Sequence, residues 1–301
     1  MFDVYFAGAK NSVADEYLLE HSANRLQSQV IDKKNIANWV AHKKPDSKLF
    51  IDSGAYTAYT RGVELDVDEY IEYLNSISEH CTIFAQLDTV PGKYKQAKTN
   101  EDRRLAPELS WQNYLYMRKH LKEPKKLLPV FHQGEDFKWL KNMLEYVDEN
   151  GEHIPYIGVS PAVDVPGLEE FLKHSFDIIA HSSNPNVKTH AFGLMRTQIL
   201  ERYPYTSADS TGWKLLAANG LMFSPYGIWW VSERSKHRPD SIYNQPKEAF
   251  ERFEKYVVEN GYTMDEISNQ DTARYIMNIK YFMNWAKNYK YRGGIKTNKL
   301  F

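Results

Sequence analysis

The chain has 301 residues, 42% of them hydrophobic, enough to bury one large core or two modest ones. Its formal net charge of −1 gives no overall basic field for nucleic acid or an anionic membrane, so any such contact must be a local patch. A single cysteine, Cys81, excludes intrachain disulfides and multi-cysteine zinc sites; no apolar run reaches the ~18 residues of a membrane span; and the opening "MFDVYFAGAK" lacks the apolar run of a signal peptide.

These features predict a soluble, cytoplasmic protein with no membrane partner, metal or cofactor. Strand-like runs rich in β-branched and aromatic residues are predicted at "FDVYFAG" (2–8), "KLFIDSG" (48–54), "TIFAQLD" (82–88) and "LLPVFHQG" (127–134). Four more follow at "YIGVS" (156–160), "THAFG" (189–193), "YTSADS" (205–210) and "GIWWV" (227–231). Helical patterns lie between most of them. In "DVDEYIEYLNSI", Val67, Tyr70, Ile71, Leu74 and Ile77 share one face, and "LSWQNYLYMRKHL", "FKWLKNMLEYV" and "LEEFLKHSFDIIA" repeat that spacing.

Strands alternating with helices imply parallel pairing, and eight of them fit a (β/α)8 TIM barrel of roughly 250 residues; a doubly wound open sheet is the alternative. The predicted organisation is a barrel over residues 1–240 and a helical C-terminal extension over 241–301, packed on the barrel. Helices are predicted in the extension near 246–258 and 271–288, followed by a basic tail over 287–299.

A parallel barrel places its chemistry at the carboxyl ends of its strands. Those ends carry Asp52, Asp88, Gln133, Gly158-Val159-Ser160, Phe192-Gly193 and Asp209. An aspartate at a strand end is commonly a turn or helix cap. Three at corresponding positions bring like charges together, which costs stability unless something uses them. His132 and His190, on strands, read as satisfied core histidines, and Cys81 as an inert buried side chain.

These same segments resemble the tRNA-guanine transglycosylases, enzymes that exchange guanine for a 7-deazaguanine. "DSGAY" is similar to that family's Asp-Ser-Gly-Gly-aromatic motif, and "QLDTVPG" to its Phe-Asp-Glu-Cys-Thr-Pro segment. "VFHQGED" resembles Val-Gln-Gly-Gly, "YIGVS" Gly-Gly-Leu, "HAFGL" Met-Gly-Val, and "SADSTGW" the Met-Phe-Asp-Cys segment that carries the nucleophile. Six matches fall in order over residues 50–215, and the family's fold is a (β/α)8 barrel.

The resemblance implies Asp209 as nucleophile and Asp52 as the acid/base partner. It implies that Asp88, Gln133 and the backbone of Gly158-Val159 bind the polar edge of the base. Tyr56 and Phe192, the latter beside Gly193, would sandwich the ring. Retaining base exchange needs two displacements, hence one carboxylate that forms a glycosyl-enzyme and a second that moves a proton.

The chain departs from the family at Ala55, Thr57, Thr89 and Val90, and it cannot build the family's three-cysteine, one-histidine zinc site. In that it is more similar to shorter, zinc-free relatives, of phages and bacterial modification systems, that insert 7-deazaguanines into DNA. The implied partners are DNA and a free base such as preQ0 or preQ1. The readings beside it are a tRNA substrate, a catalytically inactive base-binding subunit, and an unrelated barrel hydrolase or glycosidase. For DNA, Arg234, Lys236 and Arg238, following "GIWWV", are the predicted basic patch at the barrel mouth; a solvated loop is the plainer reading.

Overall fold

A computed structural model describes residues 2–8, 12–162 and 166–293. Among these described residues nine short strands form one parallel sheet: β1 (Asp3–Ala7), β2 (Asn24–Ser28), β3 (Leu49–Asp52), β4 (Ile83–Ala85), β5 (Leu127–Leu128), β6 (Val130–His132), β7 (Tyr156–Ser160), β8 (Lys188–Ala191) and β9 (Ser207–Ser210). Their order is β5-β4-β3-β2-β1-β9-β8-β7-β6.

The outermost members, β5 and β6, flank Pro129 and are two halves of one strand. The Leu128 carbonyl accepts from the Gln86 N–H on one side, and the Pro129 carbonyl accepts from the Gly158 N–H at 2.7 Å on the other. Proline has no N–H for the ladder, so it divides the strand without opening the sheet. The sheet therefore closes into a (β/α)8 barrel with the helices outside.

Two predicted elements need correction. The sequence "NRLQS" of β2 was not anticipated as a strand, because its outward side chains are polar. Arg25, 1% exposed, lies under the helical ring, where it donates to the Phe6 carbonyl at 2.8 Å, pairs with Asp15 at 3.3 Å and stacks over Trp39. "GIWWV" is not a barrel strand. After the helix Gly212–Ala218, β10 (Leu221–Ser224) and β11 (Gly227–Trp230) form a separate antiparallel hairpin, with Phe223 opposite Ile228. Ile228 is 50% exposed, as befits a strand with one wet face.

The hairpin packs with the helices Lys247–Glu259 and Met264–Asn269 around Met222, Val231, Ile242, Phe253 and Val257. The last helix, Asp271–Lys287, joins this satellite to the barrel. Its Asn278 donates to the Trp213 carbonyl, and the Trp213 indole donates to Ala7 at the carboxyl end of β1. Farther along, Trp285 packs against Phe2, just before the same strand. The helix thus runs antiparallel to β1 and completes the ring. The predicted basic tail lies outside the described residues from 294 onward.

Inside the barrel, Tyr5, Leu26, Phe50, Ile83, Leu128 and Val130 fill the lower layers. With the strand period of two, the next inward positions are Asp52, His132, Ser160 and Asp209. The apolar filling gives way to polar groups at the carboxyl end.

Asn278 is fully buried and satisfies two backbone groups, accepting from the Phe223 N–H at 2.8 Å and donating to the Trp213 carbonyl at 2.8 Å. Asn278→Leu is expected to leave both unpaired and to cost about 3 kcal/mol. Urea denaturation reads this directly; an unchanged midpoint would contradict this role.

Candidate active site

Asp52 closes β3, and the next three residues explain the "DSGA" spelling. Its Oδ2 accepts the Gly54 N–H at 3.1 Å. Gly54 has φ +74°, and a Cβ there would run into Ser28 and lie 2.8 Å from Val30 Cγ2. Only glycine fits a left-handed turn against that neighbour. The helix Ala55–Arg61 starts immediately afterwards.

Asp209 lies on β9, 7% exposed. Its Oδ1 accepts from His190 Nε2 and from the Gly193 N–H, both at 3.1 Å. Both bonds fall on the same oxygen, Oδ1.

Asp88 follows β4. Its Oδ1 accepts from Gln86, and its Oδ2 lies 3.5 Å from His132 Nε2. His132 Nδ1 pairs with Glu135 at 3.1 Å, while the other Glu135 oxygen accepts the His132 backbone N–H. Among the described residues, the ion pairs made by Asp88, Glu135 and Asp209 are with histidines, not with Lys or Arg.

The electrostatics follow from this crowding. Burial, then the charges of Asp209 and Asp88, push Asp52 up to about 7, against the opposing pull of the Gly54 and Ser53 N–H groups. Burial also raises Asp88, with His132 and Gln86 pulling the other way. Burial alone would lower His132, but Asp88 and Glu135 outweigh it and hold the imidazolium up to about 9.

Phe192 is half-buried in the barrel's upper layer, 4.5 Å from the His190 ring and 5.6 Å from Phe50. A Cβ on Gly158 would lie 2.7 Å from Phe192 Cε2, so the glycine makes room for that ring. Its N–H belongs to the sheet ladder, and the Val159 carbonyl accepts from Tyr205. Gly158 and Val159 therefore shape the floor, whereas the resemblance gave their backbone to the base. The Gln133 side chain holds the following loop, accepting from the Ala162 N–H and donating to Pro166. Tyr56 is 70% exposed on its helix and turned to solvent. A cleft of about 570 Å³ starts at Gln133 and Glu135 and runs over Phe137 and Phe171 to Lys173 and His174.

The expected basic patch takes another form. Its loop follows the hairpin, not a barrel strand, which removes the reason for placing it at the mouth. Lys236 pairs with Glu233, and Arg238 pairs with Asp240 while stacking on Trp230 at 4.1 Å. Arg234 is exposed. Among the described residues no cluster of His, Cys, Asp or Glu is arranged to hold a metal ion. Among the described residues no helix is long and apolar enough to cross a membrane.

No known protein-family model matches the chain, and no curated protein matches it in sequence. The site therefore stands on its own geometry. That geometry adds Glu135, Gln86 and the His190–Asp209 pair to the residues expected from sequence. "HQGE" did place an acid three residues after His132, the spacing that lets the two meet across a turn.

The raised Asp52 pKa has a measurable consequence. Native Asp52 keeps a proton that the unfolded chain releases from about pH 4 upward, so stability falls as pH rises from about 4 to 7. An asparagine has no such titration. Urea denaturation across pH is expected to show Asp52→Asn gaining on the wild type over that window, with a constant gap above it. A wild type that gains on Asp52→Asn as pH rises through that window would contradict the assignment.

Proposed function

We propose that the chain is a base-exchange glycosyltransferase that replaces guanine in DNA with a 7-deazaguanine through a covalent glycosyl-enzyme. One observation carries this reading. Two carboxylates at one mouth are differentiated as the chemistry needs: Asp209 is fixed by two donors on one oxygen, and Asp52 is held near neutrality in its protonation.

In the first displacement, Asp209 Oδ2 forms a bond to the anomeric carbon as the glycosidic C–N bond breaks. The electron pair leaves with the base, which takes the Asp52 proton. In the second, the incoming base attacks that carbon, gives its proton to Asp52, and the bond to Asp209 breaks to restore the carboxylate. Phe192 offers a face for a flat ring, Asp88 and His132 offer polar groups at its edge, and the adjoining cleft has room for a flanking nucleotide. A target within a duplex must first leave its stack.

DNA is the polymer of this reading because the sequence resembles the zinc-free relatives more closely. The exposed Arg234 is the cation of the predicted patch that has no acidic partner among the described residues. The same two carboxylates would serve a tRNA equally.

The test supplies DNA and tRNA in parallel with a labelled deazaguanine. Incorporation into DNA is expected. Asp209→Asn should abolish it with the fold intact, and Asp52→Asn should lower it by roughly 10²–10⁴-fold. Incorporation into tRNA alone would replace the polymer, and full activity of Asp209→Asn would overturn the chemistry.

A further inference from the structure

The nucleophile is not held by its own strand alone. Behind Asp209, away from the mouth, three polar side chains run in series through the apolar interior. His190 Nε2 meets Asp209 Oδ1 at 3.1 Å, His190 Nδ1 meets the Ser207 hydroxyl, and Ser207 meets the Tyr156 hydroxyl. His190 and Ser207 are fully buried. The edges of Tyr5, Phe50 and Phe192 surround the imidazole at 5.9, 4.8 and 4.5 Å. A polar chain in so dry a setting is costly unless every member is satisfied, and it orders itself strongly when it is.

The direction of the chain can be read from the chemistry of its ends. A nucleophilic Asp209 must act as a carboxylate, which only accepts, and in that role it requires the hydrogen on Nε2. At the far end, burial raises the Tyr156 phenol far above its ordinary value, so it remains an O–H donor. With a neutral imidazole, Nδ1 is left as an acceptor; Ser207 then donates to Nδ1 and Tyr156 to Ser207, one continuous direction through the chain.

We propose that Tyr156, Ser207 and His190 form a directional relay that positions Asp209 and tunes it as a leaving group. The inference rests on the glycosyl-transfer reading above. In the first displacement the relay holds Oδ1 and aims Oδ2 at the anomeric carbon. In the second, the Asp209–carbon bond breaks and negative charge returns to the carboxylate, where the His190 and Gly193 N–H groups are already in place to receive it. His190 is a positioning residue: it touches Asp209, not the sugar or the base.

The effect should fall on turnover rather than on binding. His190→Phe fills the space but removes the donor, and is expected to lower kcat by roughly 10²-fold, the cost of losing one such donor, with KM for polymer and base nearly unchanged. His190→Gln keeps an N–H near the Nε2 position and should recover much of that loss. Tyr156→Phe should lower kcat more mildly, and not at all in a His190→Phe background, because the two act through one path. An equal loss in both backgrounds, or full kcat in His190→Phe, would overturn the proposal.

Selective ¹⁵N labelling of histidine gives a readout independent of activity. The His190 signal, assigned by its disappearance in His190→Gln, should report hydrogen on Nε2 and none on Nδ1, with the order lost in Ser207→Ala. A hydrogen on Nδ1 in the wild type would overturn the relay whatever the enzyme does. A correct tautomer in a protein without base exchange would instead overturn only the proposed reaction.

Discussion

Four carboxylates share one barrel mouth, and their mutual repulsion is the constraint that the surrounding structure resolves. Asp52, Asp88 and Asp209 are brought together by strands that end at one level and Glu135 by the turn after β6; among the described residues the ion pairs of Asp88, Glu135 and Asp209 are with histidines, not Lys or Arg. The charge is divided by giving each acid a different environment. Asp52 keeps its proton to near neutrality, His132 stands as a cation between Asp88 and Glu135, and Asp209 receives two N–H donors on one oxygen. Acids brought together and tuned apart in this way are the pattern that clusters at functional sites.

The barrel makes that division durable. Asp209 and His190 sit on neighbouring strands whose pairing, with His190 opposite Ser207, fixes which side chains meet across the interior. Asp52 is set by the turn at Gly54, whose close approach to Val30 and Ser28 admits no side chain. The last helix closes the ring from outside through Asn278, and so ties the hairpin satellite to the first strand of the barrel. The polar mouth rests on an apolar lower interior, and the relay behind Asp209 crosses between the two.

Much of this was legible in the sequence. Alternating strand and helix patterns were enough for the barrel, and reading strand ends brought Asp52, Asp88 and Asp209 forward before any coordinates. The failures have physical causes. In β2 the positions facing the helices are Arg25 and Gln27, buried yet polar, so the hydrophobic alternation that marks a strand is missing; the arginine is tolerated because Asp15, the Phe6 carbonyl and Trp39 surround it. "GIWWV" had the composition of a barrel strand, but "SPYG" before it joins two apolar runs as a hairpin turn does. His190 was read as a core histidine, which its burial bears out. Its bond to Asp209, nineteen residues later, depends on the register of two strands, and no local pattern encodes that.

The central claim is that Asp209 bonds to the sugar. The most direct measurement mixes the wild-type protein with DNA and a base analogue that stalls the second displacement, then denatures, digests and maps the trapped species by mass spectrometry. The account predicts a nucleoside adduct on the peptide containing Asp209, absent from Asp209→Asn. An adduct on Asp52, or base exchange with no covalent species trapped on Asp209, would contradict it.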